Sequence, residues 1–571
     1  MKRLLSLTLL LCACASTPAP TESDALRQIA DAYWQHQLEE DVNVQTRLGI
    51  ATKHLPDASY AQAQHDATFG ESILRRLNAI DASRFDAEDR ISYSLLRWYA
   101  QKPIDNLRFF WLRSPVTPYT FQFAGVNDVF KMQHLDSAER ARLLAEYGRY
   151  IDQISDVVRE QERRGYVLPK PELPLVRGMI TSFMQPPEKS ALRGGDDSPG
   201  VRDAIATIVN PSLQRLLDIF NADYEAHAPN DVGLSQYPGG LDAYLHLIHV
   251  ETSYDQTPEE IHQLGLKEID RINGELDAVR KQTGFTGTLA EFRQFLKTDP
   301  RFFAKTPDEI GARRTDDLRK IEPQIPRFFA KLPRAPYDVR RLDPSLEASM
   351  TFGYYQVPTA MDAVGHYMYN GSKPNERNLL FAPALMLHEL VPGHHFQLAR
   401  QAENTSLPPF RRETHDTAYT EGWGEYSAAL GNEMGIYADP YDHAGRLMMD
   451  ALLSARLVVD TGMNALGWSR EKAMQYLREN TLLSDTEIAT ETLRYAVDIP
   501  AQALAYKIGS MKMIELRMNA QKALGRSFDI KEFHEWIIGS GSMPLSFLEQ
   551  HVNYAMMHRG HQVTVHTAPS K

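Results

Sequence analysis

Two segments constrain this chain more than any other feature: Leu387-His388-Glu389-Leu390-Val391-Pro392-Gly393-His394-His395-Phe396-Gln397 and, further on, Thr420-Glu421-Gly422-Trp423-Gly424-Glu425-Tyr426. Together they hold what a hydrolytic zinc site requires: two neutral imidazoles, a carboxylate ligand and a second carboxylate that takes a proton from water. The only cysteines, Cys12 and Cys14, lie at the extreme N-terminus, so a metal site downstream rests on His, Asp and Glu rather than on thiolates.

Spacing decides which imidazoles can meet. Residues four apart on an α-helix stand about 40° apart around its axis, which is how His-Glu-x-x-His presents two ligands to one ion. Here His394 follows His388 by six positions, about 240° round, whereas His395 follows by seven and falls about 20° off the stripe. A regular helix therefore favours His395. Pro392 has no N–H for the carbonyl of His388 and, helped by Gly393, predicts a kink or bulge, and a two-residue bulge returns His394 to the position of a four-residue spacing. On spacing alone both histidines stay open.

At the N-terminus, Lys2 and Arg3 precede the apolar run Leu4 to Leu11, too short to span a bilayer, which reads as a secretory signal over residues 1–13. Leu11-Cys12-Ala13-Cys14 resembles a bacterial lipoprotein signal, which implies a lipidated Cys14 as the first mature residue and so membrane attachment; the alternative is an ordinary cleaved signal peptide. Ala15 is not an acidic retention residue, which points to the outer membrane of a Gram-negative cell, facing the periplasm. Residues 14–22 read as a flexible tether and 561–571 as a disordered tail. The exported part has no cysteine and hence no disulfide, so its stability comes from its core. A net charge of -12 argues against a nucleic-acid-binding surface.

Between these ends, residues 23–560 read as one mainly helical domain, with division into two helical halves as an option. Helices are expected from Glu22 onward with Thr21 or Ser23 as cap, and over Ala61 to Leu77, Ala87 to Tyr99, Ser137 to Arg164, Val201 to Tyr224, Pro258 to Thr283, Phe302 to Leu332 and Ala501 to Arg517. Thr257-Pro258-Glu259-Glu260 carries a capping box with proline in the first turn. Met350 to Val357 and Gly365 to Asn370, aromatic and bounded by Pro, Gly and Asn, predict two short strands just before the metal helix. The glycine-rich stretch Arg193 to Gly200 lacks the Lys-Ser/Thr ending of a phosphate cradle and reads as a linker.

The stretch His388-Glu389-x-x-Pro392-Gly393-His394-x-x-Gln397, then Glu421-Gly422-Trp423, Arg494-Tyr495 and Tyr506-Lys507-Ile508-Gly509, resembles the bacterial family named domain of unknown function 885 over most of the mature chain. That resemblance implies a large helical fold of the gluzincin metallopeptidase type, with a small sheet beside the zinc helix and a deep central cleft. It also favours the histidine after Pro-Gly, His394, over His395. Where the family usually has Ala-Leu-Tyr after Glu-Gly-Trp, this chain has Gly424-Glu425-Tyr426, and Glu425 lies one helical turn beyond Glu421, placed to orient a ligand histidine. A family histidine near Asn464 is replaced here, which changes one polar contact.

On this reading His388, His394 and Glu421 hold Zn²⁺, and Glu389 is the general base. Tyr506 is the expected oxyanion donor, with Tyr495 and His534 as competitors. Arg494 and Lys507 are expected to clamp a substrate carboxylate, salt bridges to nearby acids being the alternative. The strand holding Tyr354 and Tyr355 is expected to take an extended peptide as a further strand, packing being the alternative. The expected activity is zinc-dependent hydrolysis of short peptides in the periplasm, from a free C-terminus if Arg494 or Lys507 binds one. A zinc amidase acting on a cell-wall or other non-peptide amide, and a non-catalytic binding lipoprotein, are the alternatives.

Overall fold

The computed structural model describes residues 21–559 except 121, 345–346 and 348–351. The leader with Cys14, most of the tether and the tail 561–571 lie outside the described residues. Helices dominate, and their starts follow from their caps. In the first, Glu22–Glu40, Thr21 accepts the N–H of Asp24 through its hydroxyl while the Asp24 carboxylate accepts the N–H of Thr21. The same reciprocal arrangement between Thr257 and Glu260 opens Pro258–Gln282, each box satisfying two donors that the helix itself cannot. In Ser137–Arg163 the stripe Leu143, Leu144, Tyr147, Ile151, Ile154 and Val158 is buried as its spacing predicts.

Several expected helices are interrupted or shifted, Phe302 to Leu332 being reduced to Pro307–Ile321 and the short turns that follow it. The helix over Val201 to Tyr224 is divided into Pro199–Ala204, a π-turn Ile205–Val209, Asn210–Leu217 and a newly capped Ala222–His227. Pro211 has no N–H for the carbonyl of Thr207, so the regular ladder gives way. A second π-turn, Arg494–Asp498, stands just before Pro500 for the same reason. The helix expected from Ala501 spans Ala505–Leu524, because Ala501 takes a left-handed φ of 68° and turns its N–H onto the Asp460 carboxylate, 3.2 Å away.

The sheet has three strands rather than two: β1 (Tyr337–Arg341), β2 (Gly353–Gln356) and β3 (Gly365–Tyr369), in the order β1-β3-β2. β1 runs parallel to β3 and β2 antiparallel to it, which leaves β2 on an edge. β1 alternates only over Tyr337 to Arg340, too short a run to stand out, and its pairing comes from a segment 28 residues away. Met350 and Thr351, at the start of one expected strand, lie outside the described residues.

The middle of the molecule is the helix Pro440–Asn464, along which Pro258–Gln282 packs. Every residue from Ala444 to Asn464 is buried. Its four buried acidic and basic side chains are each paired: Arg446 with Glu425 at 2.6 Å, Asp450 with Lys507 at 2.5 Å, Arg456 with Glu491 at 2.9 Å, and Asp460 with the Tyr244 hydroxyl at 2.6 Å. Unpaired, such buried charges would each cost several kcal/mol (about). Beside it, helices Thr417–Met434 and Ala505–Leu524 cross with their backbones in contact. A Cβ on Gly509 would lie 2.0 Å from the carbonyl oxygen of Ala418, so only glycine permits this approach, which sets Tyr506 against Glu421. Among the described residues no helix is long and apolar enough to cross a membrane.

Candidate metal centre

The helix expected to carry both His388 and His394 is broken outright, not bulged. Ala382–Glu389 ends as Leu390 leaves with φ -108° and ψ -95°, and a new helix, His394–Glu403, begins three residues after Val391. Between them the chain folds back so tightly that a Cβ on Gly393 would lie 1.7 Å from the carbonyl oxygen of His388. The turn is tied down from the second segment, where the buried indole N–H of Trp423 donates to the carbonyl of Pro392 at 2.8 Å. This break makes His394 the first residue of the second helix and turns it toward His388, their rings edge to face at 4.6 Å.

His388, His394 and Glu421 come together so that one ligand atom of each lies within 4.8 Å of the others. Nε2 of His388 and Nε2 of His394 stand 3.3 and 3.4 Å from Oε2 of Glu421. That oxygen is buried, and neither contact has hydrogen-bond geometry. The separations match the edge of a tetrahedron, about 3.3 Å when ligand bonds are about 2.0–2.1 Å, so the residues fit a zinc ion with a fourth position left for water or substrate. His395 has no part in this cluster: its Nδ1 meets the Tyr355 hydroxyl at 2.9 Å and its Nε2 the carbonyl of Ala335 at 3.0 Å.

Electrostatics agree with the geometry. Burial opposes ionisation of Glu421, but the two imidazoles outweigh it and hold the carboxylate well below its usual range. Burial also opposes protonation of His388, yet Glu421, Glu425 and Glu389 together push it up to about 10, a proton that a divalent cation would displace. Glu389 is raised, mainly by burial and further by Glu421, against the pull of His394 and His388. The backbone N–H of Tyr355 bonds to its carboxylate. Oε2 of Glu425 lies 3.9 Å from Nδ1 of His388, while its other oxygen meets Arg446 at 2.6 Å, so this acid backs His388 from a fixed position.

Tyr506 stacks over His388, ring centroids 6.1 Å apart and planes 17° from parallel. Burial and Glu421 raise its phenol, with Arg494 and Arg456 opposing. Arg456, 4.8 Å from the Tyr506 ring centroid, is a neighbour of the site that no motif announces. The competing donors are engaged elsewhere: Tyr495 is buried, its hydroxyl bonded to Glu491 and Arg456, and His534 joins the Tyr426 hydroxyl at 2.8 Å to the Phe328 carbonyl at 2.9 Å.

Two expected substrate contacts are redirected. Lys507 points away from the cluster, its ammonium held by Asp450 at 2.5 Å and Glu268 at 2.9 Å, because the residue after Tyr506 on a helix faces a different side. Arg494 stays beside Tyr506, 3.4 Å from its hydroxyl, but is shared with Gln502 at 2.8 Å and Glu491 at 3.4 Å. The Tyr355 hydroxyl is taken by His395, leaving only its backbone facing the site. Asn464 accepts the N–H of Leu234 and donates to the carbonyls of Asp460 and Tyr495, a structural role.

Comparison with known proteins places these features on a recurrent fold. A crystal structure of a candidate lipoprotein from Colwellia psychrerythraea is similar at a TM-score of 0.82 with 22% identity, over 95% of this chain and 100% of that one. A candidate lipoprotein of unknown function from Shewanella oneidensis is similar at 0.72 with 16% identity, over 93% and 99%. No curated protein matches the sequence. The profile described as "Bacterial protein of unknown function (DUF885)" matches residues 43–552, and the chain belongs to that family.

Proposed function

We propose that this protein is a zinc-dependent peptidase of the gluzincin type, acting on short peptides. One observation carries the reading: Nε2 of His388 and Nε2 of His394 stand at tetrahedral-edge distances from the buried Oε2 of Glu421, which has no hydrogen-bond partner, with a second acidic side chain, Glu389, raised in pKa beside them. A structural zinc site needs no such neighbour. Zinc held there would polarise a scissile carbonyl and acidify water.

The chain's own residues supply the rest. Glu389, raised toward the working pH by burial, takes the proton of the attacking water and later delivers it to the departing amine. Tyr506, stacked on His388, donates its phenolic hydrogen to the oxyanion that develops on the carbonyl. The free edge of β2 presents the Tyr355 N–H to Glu389, which supports an extended peptide lying along that edge with its scissile bond over the acid. Attachment to the periplasmic face of the outer membrane through lipidated Cys14 belongs to the same proposal, supported by the N-terminal signal and by neighbours described as candidate lipoproteins.

The test is cleavage of a mixed peptide library beside cell-wall fragments by zinc-loaded protein. Peptide cleavage that disappears in Glu389→Gln is the expected result. Cleavage confined to cell-wall amides would move the assignment to an amidase, and no cleavage of either would leave a binding protein.

A further inference from the structure

A cavity of about 610 Å³ is lined by Asn43, Leu107, Arg113, Leu247, Glu251 and Asp498 among others. Its size falls within the range of about 300–1,000 Å³ typical of small-molecule sites. Three of its charged groups have incomplete partnerships. The Arg113 side chain lines the cavity, and among the described residues its guanidinium forms no hydrogen bond or ion pair. Oε2 of Glu251 is buried without a partner. Asp498 is 9% exposed, and its Oδ1 also lacks one.

The placement of these groups links the cavity to the chemistry. Glu251, on helix Gly240–Thr252, is bonded through its carboxylate to the Thr417 side chain, one helical turn before Glu421. Burial and Glu421 oppose its charged form, while Lys102 and Arg113 favour it. Asp498 closes the π-turn that begins at Arg494, the neighbour of Tyr506.

A ligand of one sign is poorly served here, since an anion meets Glu251 and Asp498 and a cation meets Arg113. We infer that the cavity binds a zwitterion, a free amino acid or dipeptide, with its carboxylate on the Arg113 guanidinium and its ammonium facing Glu251. An arginine fork with no protein partner is suited to a carboxylate, and an unpartnered carboxylate oxygen to an ammonium. For catalysis this rests on the peptidase reading, since it makes the substrate a very short peptide with both termini free; binding itself does not need the metal.

The test is calorimetric titration of metal-stripped protein with Ala-Ala, Ala-Ala amide and N-acetyl-Ala-Ala. Capping either end is expected to weaken binding about tenfold or more, the scale of a lost charge-assisted hydrogen bond. Arg113→Met should abolish the preference for a free carboxylate over the amide, and Glu251→Gln the preference for a free amine, with thermal unfolding checked for both variants. Equal affinity for the three ligands in the wild type, no binding of any, or a carboxylate preference that survives Arg113→Met would overturn the inference. Selective binding of Ala-Ala without turnover by zinc-loaded protein would support it and defeat only the peptidase reading; peptide cleavage indifferent to free termini would do the reverse.

Discussion

Tyr506 and Lys507 are consecutive residues, yet they open onto two differently finished clusters of buried charge. Around Lys507, every charge is answered: its ammonium meets Asp450 and Glu268, and Arg271 reaches the same two acids at 2.7 and 2.9 Å. Around Tyr506, His388, His394 and Glu421 crowd together, and Nδ1 of both histidines and Oε2 of Glu421 are buried without hydrogen-bond partners. Burying charge is tolerable only with compensation, so a completed network reads as architecture and an incomplete one as a place for something else. Glu425 belongs to both, ion-paired with Arg446 on one side and backing His388 on the other.

Substitutions should separate the two clusters. The largest effect is expected from Glu389→Gln, which keeps shape and metal but removes the base: kcat should fall about 10²–10⁴-fold in a peptide assay, with zinc content unchanged. Lys507→Met should do the opposite, costing about 3 kcal/mol in urea unfolding while leaving metal affinity alone. That is the lower end for breaking a buried pair, because Arg271 still compensates Asp450 and Glu268. Loss of zinc in that variant would dissolve the distinction. Glu425→Gln, at the junction, should weaken zinc affinity about 10–100-fold in a chelator competition.

The smallest effect concerns a finished site. Burial, with Arg517 adding, lowers His534 to about 3, below its unfolded value of about 6.5. The unfolded chain therefore takes up the proton first, so stability is full above about pH 6.5 and is lost as pH falls toward 3. From pH 7 to 5 the metal-stripped wild type should lose about 2 kcal/mol more than His534→Gln. Equal losses would show that His534 is protonated without penalty.

The chemistry was more legible in the sequence than its arrangement. His388, Glu389, Glu421 and the Thr257–Glu260 cap follow from local pattern, and local pattern is what the folded chain keeps there. The choice between His394 and His395 was not legible from spacing, because angular counting assumes one helix and the chain instead turns back at Gly393. Lys507 and Arg494 are of similar promise as residue types, and only the folded chain separates them: the helix whose crossing at Gly422 and Gly509 brings Tyr506 to the site turns Lys507 onto Asp450 and Glu268. Arg113 sits in no motif, and β1 was hidden by its shortness and its distant partner.

The central claim is that His388, His394 and Glu421 hold a zinc ion, and elemental analysis of the purified protein beside His394→Ala, His395→Ala and Glu421→Ala tests it most directly. About one zinc per chain in the wild type and in His395→Ala, lost in His394→Ala and Glu421→Ala, is the predicted result. Zinc absent from the wild type, or retained without His394 and Glu421, would contradict it.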